Sequence, residues 1–121
     1  MFDIQFYKDK NGKSEIIDYL DMLQEQAKTS KNAKINREKI LIYLKALSEY
    51  GTRIGHPVVK HIDGDIWEIR THRTRIFFFY WKDNKFILLH YYMKKTQKTP
   101  VKEIEKAYRN LNDFLERNGE S

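Results

Sequence analysis

The sequence predicts an α+β domain in which helices cover one face of an antiparallel sheet of four to five strands, in the order β-α-α-β-β-β-β-α. Three observations carry that expectation. Apolar residues recur with helical spacing through the first half of the chain. Near Gly55-His56-Pro57 the pattern changes to apolar runs separated by two-residue turn signals. Helical spacing then returns after Pro100.

Each element has its own signal. Phe2, Ile4 and Phe6 alternate with polar residues, the period of a short half-buried strand, and Asn11-Gly12 ends it. Ser14 is placed to cap a helix whose apolar face is Ile16, Ile17, Leu20, Leu23 and Ala27. The polar stretch 29–32 separates it from a second helical pattern, Ile40, Leu41, Tyr43, Leu44 and Leu47, with Gly51 as a left-handed cap. So short a connection predicts an antiparallel hairpin of helices. Val58–Ile62 and Ile66–Thr71 flank Asp63-Gly64, and Arg75–Trp81 and Phe86–Met93 flank Asp83-Asn84, which predicts consecutive antiparallel strands. Thr99 as N-cap and Pro100 at the first helical position open a last helix along Val101, Ile104, Tyr108, Leu111 and Leu115.

At 121 residues the chain is expected to be one domain over 1–121. It has no cysteine, which excludes disulfides, thiol catalysis and thiolate metal sites. No apolar run approaches the roughly 20 residues of a membrane span, and Met1–Lys10, with an acid at Asp3, lacks the layout of a signal peptide. A cytoplasmic domain with no membrane partner is expected.

The net charge of +6 is unevenly placed. Residues 1–52 carry nine Lys/Arg and eight Asp/Glu, residues 53–95 nine and four, and residues 96–121 five of each. The excess therefore belongs to the strands. Alternation puts Trp67, Ile69 and Thr71 on one face and Glu68, Arg70 and His72 on the other, the exposed one. Arg73 lies in the following turn and Arg75 starts the next strand. Tyr91-Tyr92-Met93-Lys94-Lys95-Thr96-Gln97-Lys98-Thr99-Pro100 then leaves the last strand for the helix. Arg forks bind phosphate bidentately, Lys adds point charges, and nearby rings stack on unpaired bases, so such a face suits single-stranded RNA. Metal-independent RNA cleavage needs fixed cations for the phosphorane and proton-transfer groups. Arg70, Arg73, Arg75, Lys94 and Lys95 meet the first need, and His90, Tyr92, His72 and Glu68 are candidates for the second. Lys60 and Lys98 are expected to extend the RNA contact. Carboxylates are too scarce on this face for a two-metal nuclease, the four histidines lack zinc-ligand spacing, and no cofactor is expected. His56 and His61 read as structural, Phe77–Phe79 as core, and Tyr91 and Tyr92 as pointing to opposite faces.

Ile66-Trp67-Glu68-Ile69-Arg70, then Arg75-Ile76-Phe77-Phe78-Phe79, then His90 followed by Lys94–Pro100 and Glu103-Ile104 resemble the phage-derived Gp49-like, HigB-type toxins of the RelE superfamily. The resemblance covers about residues 1–115 in element order, and its most specific part is the KKTQKTP stretch leading into a helix. It implies a RelE-like fold and the toxin of a type II toxin–antitoxin pair. Such toxins enter the ribosomal A site and cleave translated mRNA, without metal, by 2′-OH attack. A HigA-like helix-turn-helix antitoxin restrains them. By position, Arg70 and Arg75 resemble the family's phosphate-contacting residues, Lys94 and Lys95 its phosphorane stabilisers, and His90 its strand histidine. The family often has glycine after that histidine, where this chain has Tyr91. A ParE-like gyrase inhibitor and a non-catalytic nucleic-acid-binding module are the other functions considered.

Overall fold

Two serines start the N-terminal helices. In the computed structural model, which describes residues 1–95 and 97–119, the Ser14 hydroxyl accepts the Ile17 N–H at 3.2 Å and opens α1, Glu15–Gln26. The Ser30 hydroxyl accepts the Ala33 N–H at 3.2 Å and opens α2, Lys31–Tyr50. Each satisfies a donor that the helix itself leaves unpaired. At the end of α2, Gly51 has a positive φ of 62°, but its ψ of −149° is not that of the expected left-handed cap. It leads instead into a single 3₁₀ turn, Gly51–Ile54. A side chain at Gly51 would meet the Phe2 ring at 2.7 Å, so glycine answers both a backbone and a space requirement there.

Five strands follow the expected order, β1 (Asp3–Phe6), β2 (Val59–Asp63), β3 (Ile66–Arg70), β4 (Thr74–Trp81) and β5 (Lys85–Met93), arranged β1-β5-β4-β3-β2. Asp83 and Asn84 both take left-handed backbone (φ 60° and 59°) in the β4–β5 turn, a conformation these two residue types tolerate best after glycine. The sheet departs from the expectation at its edge. β1 runs parallel to β5, from Asp3 beside Lys85 to Phe6 beside Leu88, while the other pairs are antiparallel. Parallel neighbours need a long crossover, and the helical hairpin with β2–β4 supplies it.

The larger correction concerns the layers. Helices cover both faces of the sheet, not one. On one face Ile16, Leu20, Ile40 and Leu47 of α1 and α2 pack on Ile69, Ile76, Phe78 and Leu88. On the other, Ala107 and Leu111 of α3, Val101–Arg117, pack on Ile66, Phe77, Phe79, Ile87 and Leu89. The reason lies in the central strands, where Ile76–Phe79 and Phe86–Leu89 are buried without interruption. A continuous apolar run belongs to a strand covered on both sides.

α3 also begins one residue later than expected. Pro100 is its N-cap, accepting the Glu103 N–H at 3.1 Å through its carbonyl. The Thr99 side chain turns to the Tyr92 hydroxyl instead. A Gly51→Ala substitution is expected to destabilise the domain by about 1–3 kcal/mol, from backbone strain at this positive-φ, glycine-only conformation and from the clash with Phe2. Urea unfolding of the variant and of Phe2→Ala/Gly51→Ala separates the two, since only the clash is relieved in the pair.

Candidate functional site

The register of the central strands assembles the site. Arg70 of β3 lies opposite Arg75 of β4, which lies opposite Tyr92 of β5. The adjoining row on the same face is Lys60, Glu68, Phe77 and His90. Residues paired directly across strands hold their side chains about 5 Å apart. Two guanidinium groups and a phenol therefore lie side by side on this face, and Tyr92 also belongs to the cluster formed with Ala107 and Leu111 of α3. Arg70 and Arg75 are half-buried and Lys60 is exposed.

Glu68 supports this row from below. Sequence alternation places it on the exposed face, yet it is 1% exposed. Its Oε1 accepts from Arg70 Nε at 3.3 Å, and its Oε2 accepts from the Tyr92 hydroxyl at 2.7 Å. Phe77, stacked on Tyr92 with ring centroids 5.4 Å apart, closes the space beneath. A buried carboxylate persists only when paired and hydrogen-bonded, and Arg70 and Tyr92 meet that need. Tyr92 has its pKa pushed up to about 12, by burial first and then by the hydrogen bond and charge of Glu68, against the opposing pull of Thr99 and Arg75. It holds its proton throughout the neutral range.

Hydrogen bonds brace the β3–β4 turn. Thr71 donates to the Thr74 carbonyl through both N–H and hydroxyl, each at 3.0 Å. Arg75 Nη1 donates to the Thr71 and Thr74 carbonyls at 3.2 and 3.4 Å. His72 and Arg73 occupy the exposed tip. Arg73 does not join Arg70 and Arg75. It lines a pocket on the opposite face, against α1 and α2.

Lys94, Lys95 and Lys98 are exposed after β5, and Thr96 lies outside the described residues. Lys95 lines a cleft of about 710 Å³ between α1 and α3 that also contains Tyr91 and Tyr92. Tyr92 is thus the joint between the arginine row and this cleft. One wall carries Glu15 and Asp18 of α1, the other Lys102 and Lys106 of α3, and Lys106 bridges to Glu15 at 2.7 Å. Tyr91 points to the other face, as alternation requires, and stacks on Tyr19 at 4.1 Å.

His90 is fully buried. Nε2 lies 3.0 Å from the Glu103 carbonyl and Nδ1 3.2 Å from that of Tyr91. Both ring nitrogens face backbone oxygens, so the ring ties the first turn of α3 to β5. This geometry gives it no path to a proton on a ligand. Burial holds its pKa below the ordinary histidine value, against the two carbonyls that favour the cation. The contact of Thr99 with Tyr92 and the Glu15–Lys106 bridge carry no sequence signal, because both depend on where α3 docks. His, Cys, Asp and Glu form no metal-binding group among the described residues.

Arg70→Ala is expected to cost about 3 kcal/mol, because it leaves the Glu68 carboxylate buried without its cation. Urea unfolding of Glu68→Gln/Arg70→Ala should recover much of that loss, whereas additive costs in the pair would count against the coupling. His90 sets a pH dependence. Above about pH 6.5 the ring is neutral whether the chain is folded or not, and below it the unfolded chain binds the proton first, so stability falls as pH falls. His90→Gln, measured between about pH 7.5 and 5.5, should show a shallower decline than the wild type.

No helix among the described residues is long and apolar enough to cross a membrane. No curated protein matches the chain significantly. A model of the family described as phage derived protein Gp49-like (DUF891) matches residues 19–112, more than half the chain and the span that contains both arginines, Glu68, Tyr92 and Lys95. The chain belongs to this family of RelE-like toxins.

Proposed function

We propose that the chain is a HigB-type toxin, a metal-independent endoribonuclease that cleaves translated mRNA in the ribosomal A site and is held inactive by a HigA-like helix-turn-helix antitoxin. The observation that carries this reading is the row Arg70–Arg75–Tyr92 over the buried Glu68. Family membership supplies the toxin, and the row supplies a phosphate seat beside a proton donor.

Each group then has a role. Arg70 and Arg75 hold the scissile phosphate, and Lys94 and Lys95 offset the charge of the phosphorane. His72, the exposed imidazole at the turn, takes the 2′-OH proton as O2′ bonds to phosphorus. The bond from phosphorus to the 5′-oxygen breaks, and Tyr92 protonates the leaving oxygen. The products are a 2′,3′-cyclic phosphate and a 5′-hydroxyl. Glu68 positions the Tyr92 hydroxyl and does not touch RNA. His90 is left out, since burial closes it to substrate. Lys60 and Lys98 contact flanking phosphates.

Induction of the wild type should stop growth, with mRNA cut on stalled ribosomes. Arg75→Lys and Lys95→Ala should lower cleavage by about 10²-fold and Tyr92→Phe by about 10²–10⁴-fold, with urea midpoints within the range of surface substitutions for Lys95→Ala. Unaltered cleavage by Tyr92→Phe removes the proton-donor role. Inhibition of gyrase supercoiling without mRNA cleavage replaces the whole reading.

A further inference from the structure

The helical hairpin is neutral as a whole, with six bases and six acids over residues 15–50, but not along its length. α1 carries four acids, Glu15, Asp18, Asp21 and Glu25, and no base. Residues 28–37, from the connection into the first turns of α2, carry Lys28, Lys31, Lys34 and Arg37 and no acid. This placement does not serve the helix. A helix N-terminus carries partial positive charge and favours acids, as Glu15 and Asp18 provide in α1, whereas the first turn of α2 has none. Lys28 makes an exposed pair with Glu25 at 3.1 Å, while Lys31 and Lys34 are exposed and make no ion pair among the described residues.

These cations border two open hollows. Lys28, Lys31 and Lys34 line one of about 530 Å³, and Lys28, Lys34 and Arg37 line its neighbour of about 410 Å³. Arg37 is anchored there, its Nε donating to the Leu20 carbonyl at 3.2 Å. Glu38 lines both hollows and is the one acid in either. Ser30 belongs to the larger hollow and also to the pocket that Arg73 lines, so the basic surface continues to the tip of the β3–β4 turn. Its chemistry differs from that of the arginine row. No aromatic residue occurs between Tyr19 and Tyr43. Single-stranded RNA is held largely by stacking its bases on aromatic rings, whereas an A-form duplex is recognised by shape, through phosphate and 2′-hydroxyl contacts. The cations suit the phosphates, and exposed Thr29, Asn32 and Glu38 suit the hydroxyls. A protein interface needs an apolar core, and the two hollows offer only Ala27 and the half-buried Ile35.

We propose that the start of α2, with Lys28, Lys31, Lys34 and Arg37, is a second RNA surface that grips the backbone of an A-form duplex. Naming that duplex ribosomal RNA rests on the function proposed above. α1 and α2 cover the face of the sheet opposite the arginine row, so one side of the domain takes the message and the other braces against the ribosome. The four acids of α1 repel RNA from the adjoining helix and confine the contact to the start of α2.

Fluorescence anisotropy with a labelled, blunt-ended RNA duplex of about 20 base pairs, and with oligouridine of the same length, tests it without ribosomes or cleavage. For the duplex, Lys31→Gln/Lys34→Gln should make the plot of log K against log salt shallower by about two and weaken binding about tenfold to a hundredfold near 0.1 M salt. Its affinity for oligouridine should stay that of the wild type. Lys10→Gln/Lys13→Gln, which removes the same charge elsewhere on the surface, should leave duplex binding unchanged. No duplex binding by the wild type, no change in Lys31→Gln/Lys34→Gln, an equal loss for oligouridine, or an equal loss in Lys10→Gln/Lys13→Gln each overturn the proposal. On programmed ribosomes Lys31→Gln/Lys34→Gln should raise KM about tenfold with kcat unchanged, the mark of binding lost equally from ground and transition states. The expected duplex results without any mRNA cleavage by the wild type keep this surface and remove the endonuclease; cleavage with duplex binding indifferent to Lys31 and Lys34 does the reverse.

Discussion

The carboxylate of Glu68 lies in the middle of a basic face yet out of water, and much of the surrounding geometry answers to it. A buried carboxylate must be given donors and a cation. Arg70 and Tyr92 supply them, which draws the guanidinium of one strand and the phenol of another toward one point. The same contacts raise the Tyr92 pKa and keep its proton in place. Arg75, braced on the carbonyls of the β3–β4 turn, completes a row in which two cations exceed one anion. The surplus positive charge is preorganised rather than spread over flexible side chains, which is the form in which charge stabilises a developing oxyanion.

That row exists because the sheet is covered unevenly. α1 and α2 seal one face, and α3 covers only part of the other, centred on Ile66, Phe79, Ile87 and Leu89. His90 fixes the start of α3 through the Glu103 carbonyl. Thr99, released from capping by Pro100, reaches Tyr92. The helix start is thus part of the site's support, and the loop carrying Lys94, Lys95 and Lys98 is held at both ends by ordered structure.

The elements themselves were largely legible in the sequence. Strand alternation, the two-residue turns and the serine and glycine boundaries place them within a residue or two, because these signals depend on neighbours a few positions away. The second helical layer was legible too, in Phe77-Phe78-Phe79 and Phe86-Ile87-Leu88-Leu89, since uninterrupted apolar strands need cover on both faces. Reading those runs as ordinary core under one layer of helices misplaced α3. That placement in turn put Glu68 in solvent.

The sequence by itself determined the composition of the site: two arginines and a tyrosine on the strands, lysines on the exit loop, and an excess of charge confined to residues 53–95. Strand period also decided that Tyr91 and Tyr92 part to opposite faces. Only the tertiary structure decided which of these groups meet. Register between strands brought Arg70, Arg75 and Tyr92 into one row, the turn sent Arg73 to the other face, and the docking of α3 buried Glu68 and His90. Period-2 alternation assigns a residue to a face, but burial depends on what packs over that face, and that comes from segments far away in the chain.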